Sequence, residues 1–304
     1  MTPRLARGRF GVSAWIYGDA PLPETLGRIA AAGYDGVELP GEPDAWESAD
    51  LRRWLRDHGL VPVALTASCM VATERDLAHP DARIRGVAVD YVRRCLEMAA
   101  EIGAPIVQML ASGEPRLAPV ATRDAEWAWS VAGMQAAARE AERAGVGIAV
   151  EPLNRYEGYL VTSVGDALAY LDAVGSPWVG MTLDLFHANI EEPDVAASIR
   201  SAGPRLWHVQ AADTTRRGLG HGHLDLGAVA DALASVDYGG AIVVEIMAPG
   251  PDPFRAIKDE RSAEILDGDI RDSLRRLRAC WPPVGPATGT PRPQGRATET
   301  RRPG

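Results

Sequence analysis

Lysine is nearly absent from this 304-residue chain: Lys258 is the single lysine among 32 lysines and arginines, so 31 are arginine. A Schiff-base mechanism needs a lysine in the site, and Lys258 stands in a polar run, FRAIKDERS, beyond the last apolar strand pattern. No P-loop of the GxxxxGK type occurs, so lysine-dependent phosphate chemistry is excluded as well. Cysteine is also scarce. Cys69, Cys95 and Cys280 are odd in number, far apart and never in a CxxC pair. They read as reduced thiols of a cytoplasmic protein and not as a disulfide framework. No run of 18 apolar residues is present, which argues against a membrane span. Residues 1–9 are basic but lead into a strand pattern, unlike a signal peptide. The formal charge of −9 argues against a nucleic-acid partner, which needs a basic face. A small polar substrate remains open.

What is there is ordinary globular material. At 46% hydrophobic and 24% charged, the chain can build a sizeable core. Eight short apolar runs alternate with helical patterns: FGVSAWI (10–16), YDGVELP (34–40), VPVALTA (61–67), APIVQML (104–110), VGIAVEP (146–152), WVGMTLDL (178–185), RLWHVQAAD (205–213) and AIVVEIM (241–247). The clearest helical segment is 81–102, with Ile84, Val87, Val89, Val92, Leu96, Met98 and Ile102 at near-helical spacing. Several segments end at a glycine before the next apolar run, as in AEIG-API and ERAG-VGI, which is C-cap chemistry. Eight strands each followed by a helix predict a single-domain (β/α)8 TIM barrel over residues 10–281. An open doubly wound sheet usually carries a glycine-rich turn after its first strand, and SAWIYGDA has none. Residues 1–9 form an arm. Residues 282–304 contain ten Pro or Gly among 23 and predict a disordered tail.

In such a barrel the active site collects at the carboxyl ends of the strands. The fifth to eighth runs end in Glu151, Asp184, Gln210 and Glu245, separated by 33, 26 and 35 residues, each close to one strand–helix unit. Four successive strands thus bring one oxygen-bearing side chain each to the same rim. Charges at the ends of apolar strands are costly unless paired or metal-bound. A divalent cation relieves the repulsion among three carboxylates, and carboxylate and amide oxygens favour Mn²⁺ or Mg²⁺, with Co²⁺ a further option. A salt bridge or a helix cap is the plainer account of any one acid taken alone. Asp184, just before LFHANIEE, is placed to cap.

The stretch EPLNRYEGYLVTS…LDLFHANIEE (151–192), with HVQAADTTRRGLGHGHLDL (208–226) and GGAIVVEIM (239–247), resembles the xylose-isomerase-like sugar epimerases, closest to ketose 3-epimerases of the tagatose/psicose type. The resemblance implies that Glu151, Asp184 and Glu245 are metal ligands. The fourth ligand of ketose epimerases is the second histidine of an HxH. Here that motif reads His208-Val209-Gln210, as in hydroxypyruvate-isomerase-like relatives, so Gln210 takes the ligand position through its amide oxygen. Glu157, His187 and Arg216 match positions that contact substrate oxygens around C1 to C3. The implied reaction removes the C3 proton of a ketose and returns one to the opposite face. Glu151 and Glu245 are the two bases, and a bound divalent metal, Mn²⁺ by preference, stabilises the enediolate. Related epimerases are often dimers or tetramers, which leaves a homo-oligomer open.

Trp15 and Tyr17 read as a pocket wall or as core. Glu38 reads as a pocket residue or as half of a structural ion pair. His208 reads as packed behind the ligands, His221 and His223 as a solvated loop with a lid role open, and His58 and His79 as surface. Gln210 keeps alternatives in view: a hydroxypyruvate-type isomerase, an inosose dehydratase or a C-glycoside-cleaving subunit. A non-catalytic sugar-binding subunit is the alternative of another class.

Overall fold

The computed structural model of the chain describes residues 3, 5, 8–67, 74–249 and 260–281. Eight parallel strands close into a barrel in sequence order. They are β1 (Phe10–Ser13), β2 (Gly36–Pro40), β3 (Val61–Ala67), β4 (Ile106–Leu110), β5 (Gly147–Glu151), β6 (Val179–Asp184), β7 (Leu206–Ala211) and β8 (Ile242–Val244). The helices are α1 (Leu22–Ala31), α2 (Ser48–His58), α3 (Ala82–Ile102), α4 (Arg123–Ala144), α5 (Val164–Val174), α6 (Leu185–Glu191), α7 (Val195–Ala202), α8 (Leu226–Ser235) and α9 (Glu260–Cys280). The chain is therefore the expected TIM barrel. Cys69, Lys258 and the tail 282–304 lie outside the described residues, so the disorder expected of the tail is not addressed by them. Cys95 and Cys280 are free. No helix among the described residues is long and apolar enough to cross a membrane.

The apolar runs become strands because a parallel barrel buries both faces of its sheet. Every residue of β4, β5 and β6 is buried. Register then places the chemistry. Leu110 pairs with Glu151 across β4 and β5, and Asp184 pairs with Gln210 across β6 and β7. The helices stop where expected. α3 ends at Gly103 (φ 83°) and α4 at Gly145 (φ 69°), each in the left-handed conformation that a side chain disfavours.

Three local expectations change. The first apolar run does not stay extended: after Ser13 the chain turns into a short 3₁₀ segment, Ala14–Tyr17. That turn lifts Trp15 to the barrel mouth, whereas Tyr17 is buried and its hydroxyl donates to Asp267 Oδ1 at 2.7 Å. Tyr17 is thus core and not pocket wall. The sixth unit carries two helices, α6 and α7, in place of one. In α3 the expected Val92, Leu96, Met98 and Ile102 are buried, joined by Ala88, Tyr91, Cys95 and Ala99, whereas Val87 is 39% exposed. A small alanine and the polar-tipped Tyr91 hide a helical period that a count of large apolar residues misses.

Candidate active site

Glu151 is the last residue of β5, Asp184 the last of β6, Gln210 the penultimate residue of β7, and Glu245 follows β8 directly. All four are buried, Asp184 and Gln210 completely. A cavity of about 630 Å³ opens above them, lined by Trp15, Glu151, Glu157, His187, Arg216 and Glu245 among others. This size suits a monosaccharide-scale ligand. Asp184 and Gln210 are not among its lining residues. A second depression of about 840 Å³, around Trp46 and Trp54, is lined mainly by the β2–α2 loop and α2 and by none of these four residues.

The acids are held by specific partners. Trp15 Nε1 donates to Glu245 Oε1 at 2.6 Å, and Gln210 Nε2 donates to the same oxygen at 3.0 Å. Arg216 spans two acids, bonding Asp184 through one terminal nitrogen and Glu245 Oε2 through the other at 3.0 Å. Gln108, inside β4, donates to Glu151 Oε2. Asp184 has a second task, since its Oδ1 accepts from the Phe186 backbone N–H at 2.9 Å and caps α6. Capping and site chemistry thus share one carboxylate.

Burial pushes Glu151 well above the usual carboxylate range, and the negative charges of Glu245 and Asp184 push the same way. Glu245 is raised chiefly by burial and further by Asp184, with Arg216 opposing. Burial works against the charge on Arg216, but Asp184, Glu245 and Glu157 more than offset it. Two buried glutamates that hold protons well above their ordinary range, facing one cavity, are suited to proton transfer.

His187 sits on α6, with Nε2 3.7 Å from Glu151 Oε1 and 3.5 Å from Asp184 Oδ2. These three residues offer ligand atoms within 4.8 Å of one another. The tautomer decides what His187 can do. Burial lowers its pKa and keeps the ring neutral. The Asn154 backbone N–H donates to Nδ1 at 3.3 Å, and Asn154 Nδ2 lies 2.7 Å from the same atom. With Nδ1 accepting, the neutral ring carries its proton on Nε2, which makes that atom a hydrogen-bond donor in this arrangement.

Among the described residues Arg216 is one of two non-glycine residues with positive φ, at 59°. A long side chain rarely takes that conformation, and it persists where surroundings enforce it. The Arg216 N–H donates to the Asp213 carbonyl, and its own carbonyl accepts from the Met247 N–H, both at 2.8 Å. Asp213 in turn accepts backbone N–H bonds from Thr214, Gly220 and Leu224. This knot ties down the loop carrying His221 and His223. His221 Nε2 lies 3.3 Å from Asp269 Oδ1 and His223 Nδ1 lies 3.0 Å from Thr214 Oγ1. Neither lines the cavity, in line with a loop reading.

Glu38 does not line the cavity. It is fully buried, with Oε2 2.6 Å from His208 Nε2, so Glu38 reads as a residue held by a structural partner and not as part of the pocket wall. Sequence reasoning missed three residues. Asn154 accepts from the Tyr156 N–H at 2.9 Å through Oδ1 and donates to Glu157 Oε1 at 2.8 Å, so one amide shapes the loop and orients both Glu157 and His187. Its signal was an asparagine opening the NRYEG turn. Gln108 lay inside an apolar strand and gave only its polarity. Glu114 lines the cavity, and burial, helped by Glu157 and opposed by Arg216, pushes it up to about 7.

These features can be set beside known proteins. The chain belongs to the xylose isomerase-like TIM barrel family, whose pattern matches residues 26–280. It is 28% identical over 279 residues to an L-ribulose 3-epimerase of Mesorhizobium japonicum, covering 90% of this chain and 88% of that one. It is 28% identical over 263 residues to a 3-dehydro-D-guloside 4-epimerase of Escherichia coli, covering 84% and 94%. Among solved structures, a D-allulose 3-epimerase from Methylomonas sp. in complex with D-allulose superposes with a TM-score of 0.80 at 25% identity, covering 92% of this chain and 99% of that one.

Proposed function

We propose that this protein is a divalent-metal-dependent ketose 3-epimerase. The observation that carries the reading is the pair of buried glutamates, Glu151 and Glu245, facing one sugar-sized cavity from β5 and from the end of β8. Epimerisation needs a base on each face of the reacting carbon. Two glutamates three strands apart around the ring meet that need. One takes the C3 proton of the ketose, and the other delivers a proton from the far side. Neutral His187 donates from Nε2 to a substrate oxygen. Arg216 and Glu157 bind and orient the hydroxyls nearby, and Trp15 closes one wall.

A divalent cation fits the donor set. Three buried carboxylates carry more negative charge than Arg216 alone balances, and Gln210 Oε1 is a buried oxygen without a hydrogen-bond partner. Glu151, Asp184, Gln210 and Glu245 would hold the ion, and an all-oxygen set favours Mn²⁺ or Mg²⁺. When bound, such an ion polarises a carbonyl and stabilises negative charge on the enediolate.

The lining also favours an unphosphorylated sugar. Asp19, Glu42, Glu114 and Glu157 add carboxyl groups to the cavity, and Arg216 is the one cation among the described lining residues. A phosphate monoester would meet repulsion there.

The test is proton exchange. D-psicose, D-fructose and L-ribulose are incubated in D₂O with Mn²⁺, and NMR reads the labelled carbon. Deuterium at C3 with interconversion of the 3-epimers is the expected result. Gln210, which departs from the epimerase histidine, favours a second reading, aldose–ketose isomerisation, and label at C1 would select it. No exchange at any carbon in the Mn²⁺-loaded protein would overturn both and leave a binding subunit.

A further inference from the structure

We infer that Glu38 is the positioning residue that fixes which end of the Gln210 amide faces the metal. The inference rests on the ligand reading above. An amide is an ambiguous ligand, because its oxygen and nitrogen are nearly the same size and only the oxygen binds a cation. A glutamine in a ligand position therefore needs something to choose its orientation.

Here the choice is visible in the partners. Gln210 Nε2 donates to Glu38 Oε1 at 3.1 Å and to Glu245 Oε1 at 3.0 Å. Both amide protons are thus committed to carboxylates, and Gln210 Oε1 is left buried and without a hydrogen bond. Reversing the amide would set its oxygen against the Glu38 carboxylate oxygen with no donor between them. Glu245 is itself an assigned ligand and a proton carrier, so it is a poor anchor. Glu38 is neither. It is completely buried on β2, does not line the cavity, and its other oxygen is tied to His208 Nε2 at 2.6 Å. His208 and Gln210 are two apart on β7, so both project to one side of the strand and one carboxylate reaches both. The same carboxylate would suit a histidine at 210, since it could hold one ring N–H and direct the other nitrogen to the metal.

The experiment is a double-mutant cycle on metal affinity, read by Mn²⁺ electron paramagnetic resonance titration of the purified full-length chain and checked for folding by circular dichroism. Gln210→Ala, Glu38→Met and the double variant are compared with wild type. Loss of an outer partner typically lowers metal affinity about 10–100-fold, and Glu38→Met should fall in that range and no further than Gln210→Ala. If Glu38 acts through the amide, Glu38→Met adds nothing in the Gln210→Ala background. A further loss there would assign Glu38 a direct charge effect and overturn the inference, as would wild-type affinity in Glu38→Met. Should Glu38→Met fail to fold, Glu38→Asp keeps the charge beside His208 but withdraws the oxygen from Gln210. It is expected to bind Mn²⁺ more weakly, and wild-type affinity there also overturns the inference. The ligand reading fails differently, by absence of Mn²⁺ binding in wild type or by unchanged affinity in Gln210→Ala.

Discussion

Glu114 gives the sharpest electrostatic test, because its environment penalises charge more than Arg216 compensates. Burial raises it to about 7, Glu157 adds repulsion, and Arg216 opposes only in part. Unfolded, the same carboxyl titrates at its ordinary value of 4.5. A raised native value means that the native state keeps its proton longer than the unfolded state. The favourable contribution is then complete below about 4.5 and is lost as pH rises through about 7. Holding a carboxyl at about 7 costs its ionised form about 3 kcal/mol at most. Glu114 is not fully buried, so water relaxes part of this, and about 1–3 kcal/mol is expected. Glu114→Gln keeps the shape of the protonated acid and removes the titration. Urea unfolding of chelator-treated wild type and variant at pH 4.5, 6 and 8 measures the difference. The two should agree at pH 4.5, and the variant should be more stable by about 1–3 kcal/mol at pH 8. A gap that does not change with pH, or a variant less stable at pH 8, refutes the argument.

Three further outcomes are expected. Glu151→Gln and Glu245→Gln should each lower turnover by at least about 10²–10⁴-fold while the circular dichroism spectrum stays that of the folded barrel; near-wild-type rates in either would remove the two-base mechanism. The purified protein should take up one divalent ion per chain by elemental analysis, with a melting temperature that rises on Mn²⁺ loading and falls on chelation. Gln210→His should raise affinity for Co²⁺ relative to Mn²⁺ in a competition titration, because imidazole is a softer donor than an amide oxygen; an unchanged ratio would place residue 210 outside the ligand set.

The barrel was legible because its signals are local and repeated. Each unit offers a run such as VGIAVE, a helix closed by glycine, and the next run, and parallel pairing leaves little freedom in how such units combine. What misled was local geometry that depends on distant contacts. The turn after Ser13 separates Trp15 from Tyr17, and nothing within residues 10–16 announces that Tyr17 will bury its hydroxyl against Asp267 on α9. In α3, the choice of Ala88 over Val87 for the buried face depends on what packs against the helix, which periodicity alone does not contain.

The site divides along the same line. Residues at strand ends could be found by counting, because the fold carries every strand end to one rim. Glu151, Asp184, Gln210 and Glu245 needed only the period of the strand–helix unit. Residues that make those groups usable could not. Asn154 sets the His187 tautomer through a bond spanning 33 positions, and Glu38 reaches Gln210 across 172. Such contacts have no spacing rule, since they cross the barrel interior and not one element. The consequence is chemical. A glutamate at a strand end is a carboxylate in the sequence. Its pKa rises only when the fold buries it at the rim beside Asp184, and the Gln210 amide gains a fixed direction only when both its protons are taken. The positions of these four residues are written in the period of the chain, and their orientation is written in its tertiary contacts.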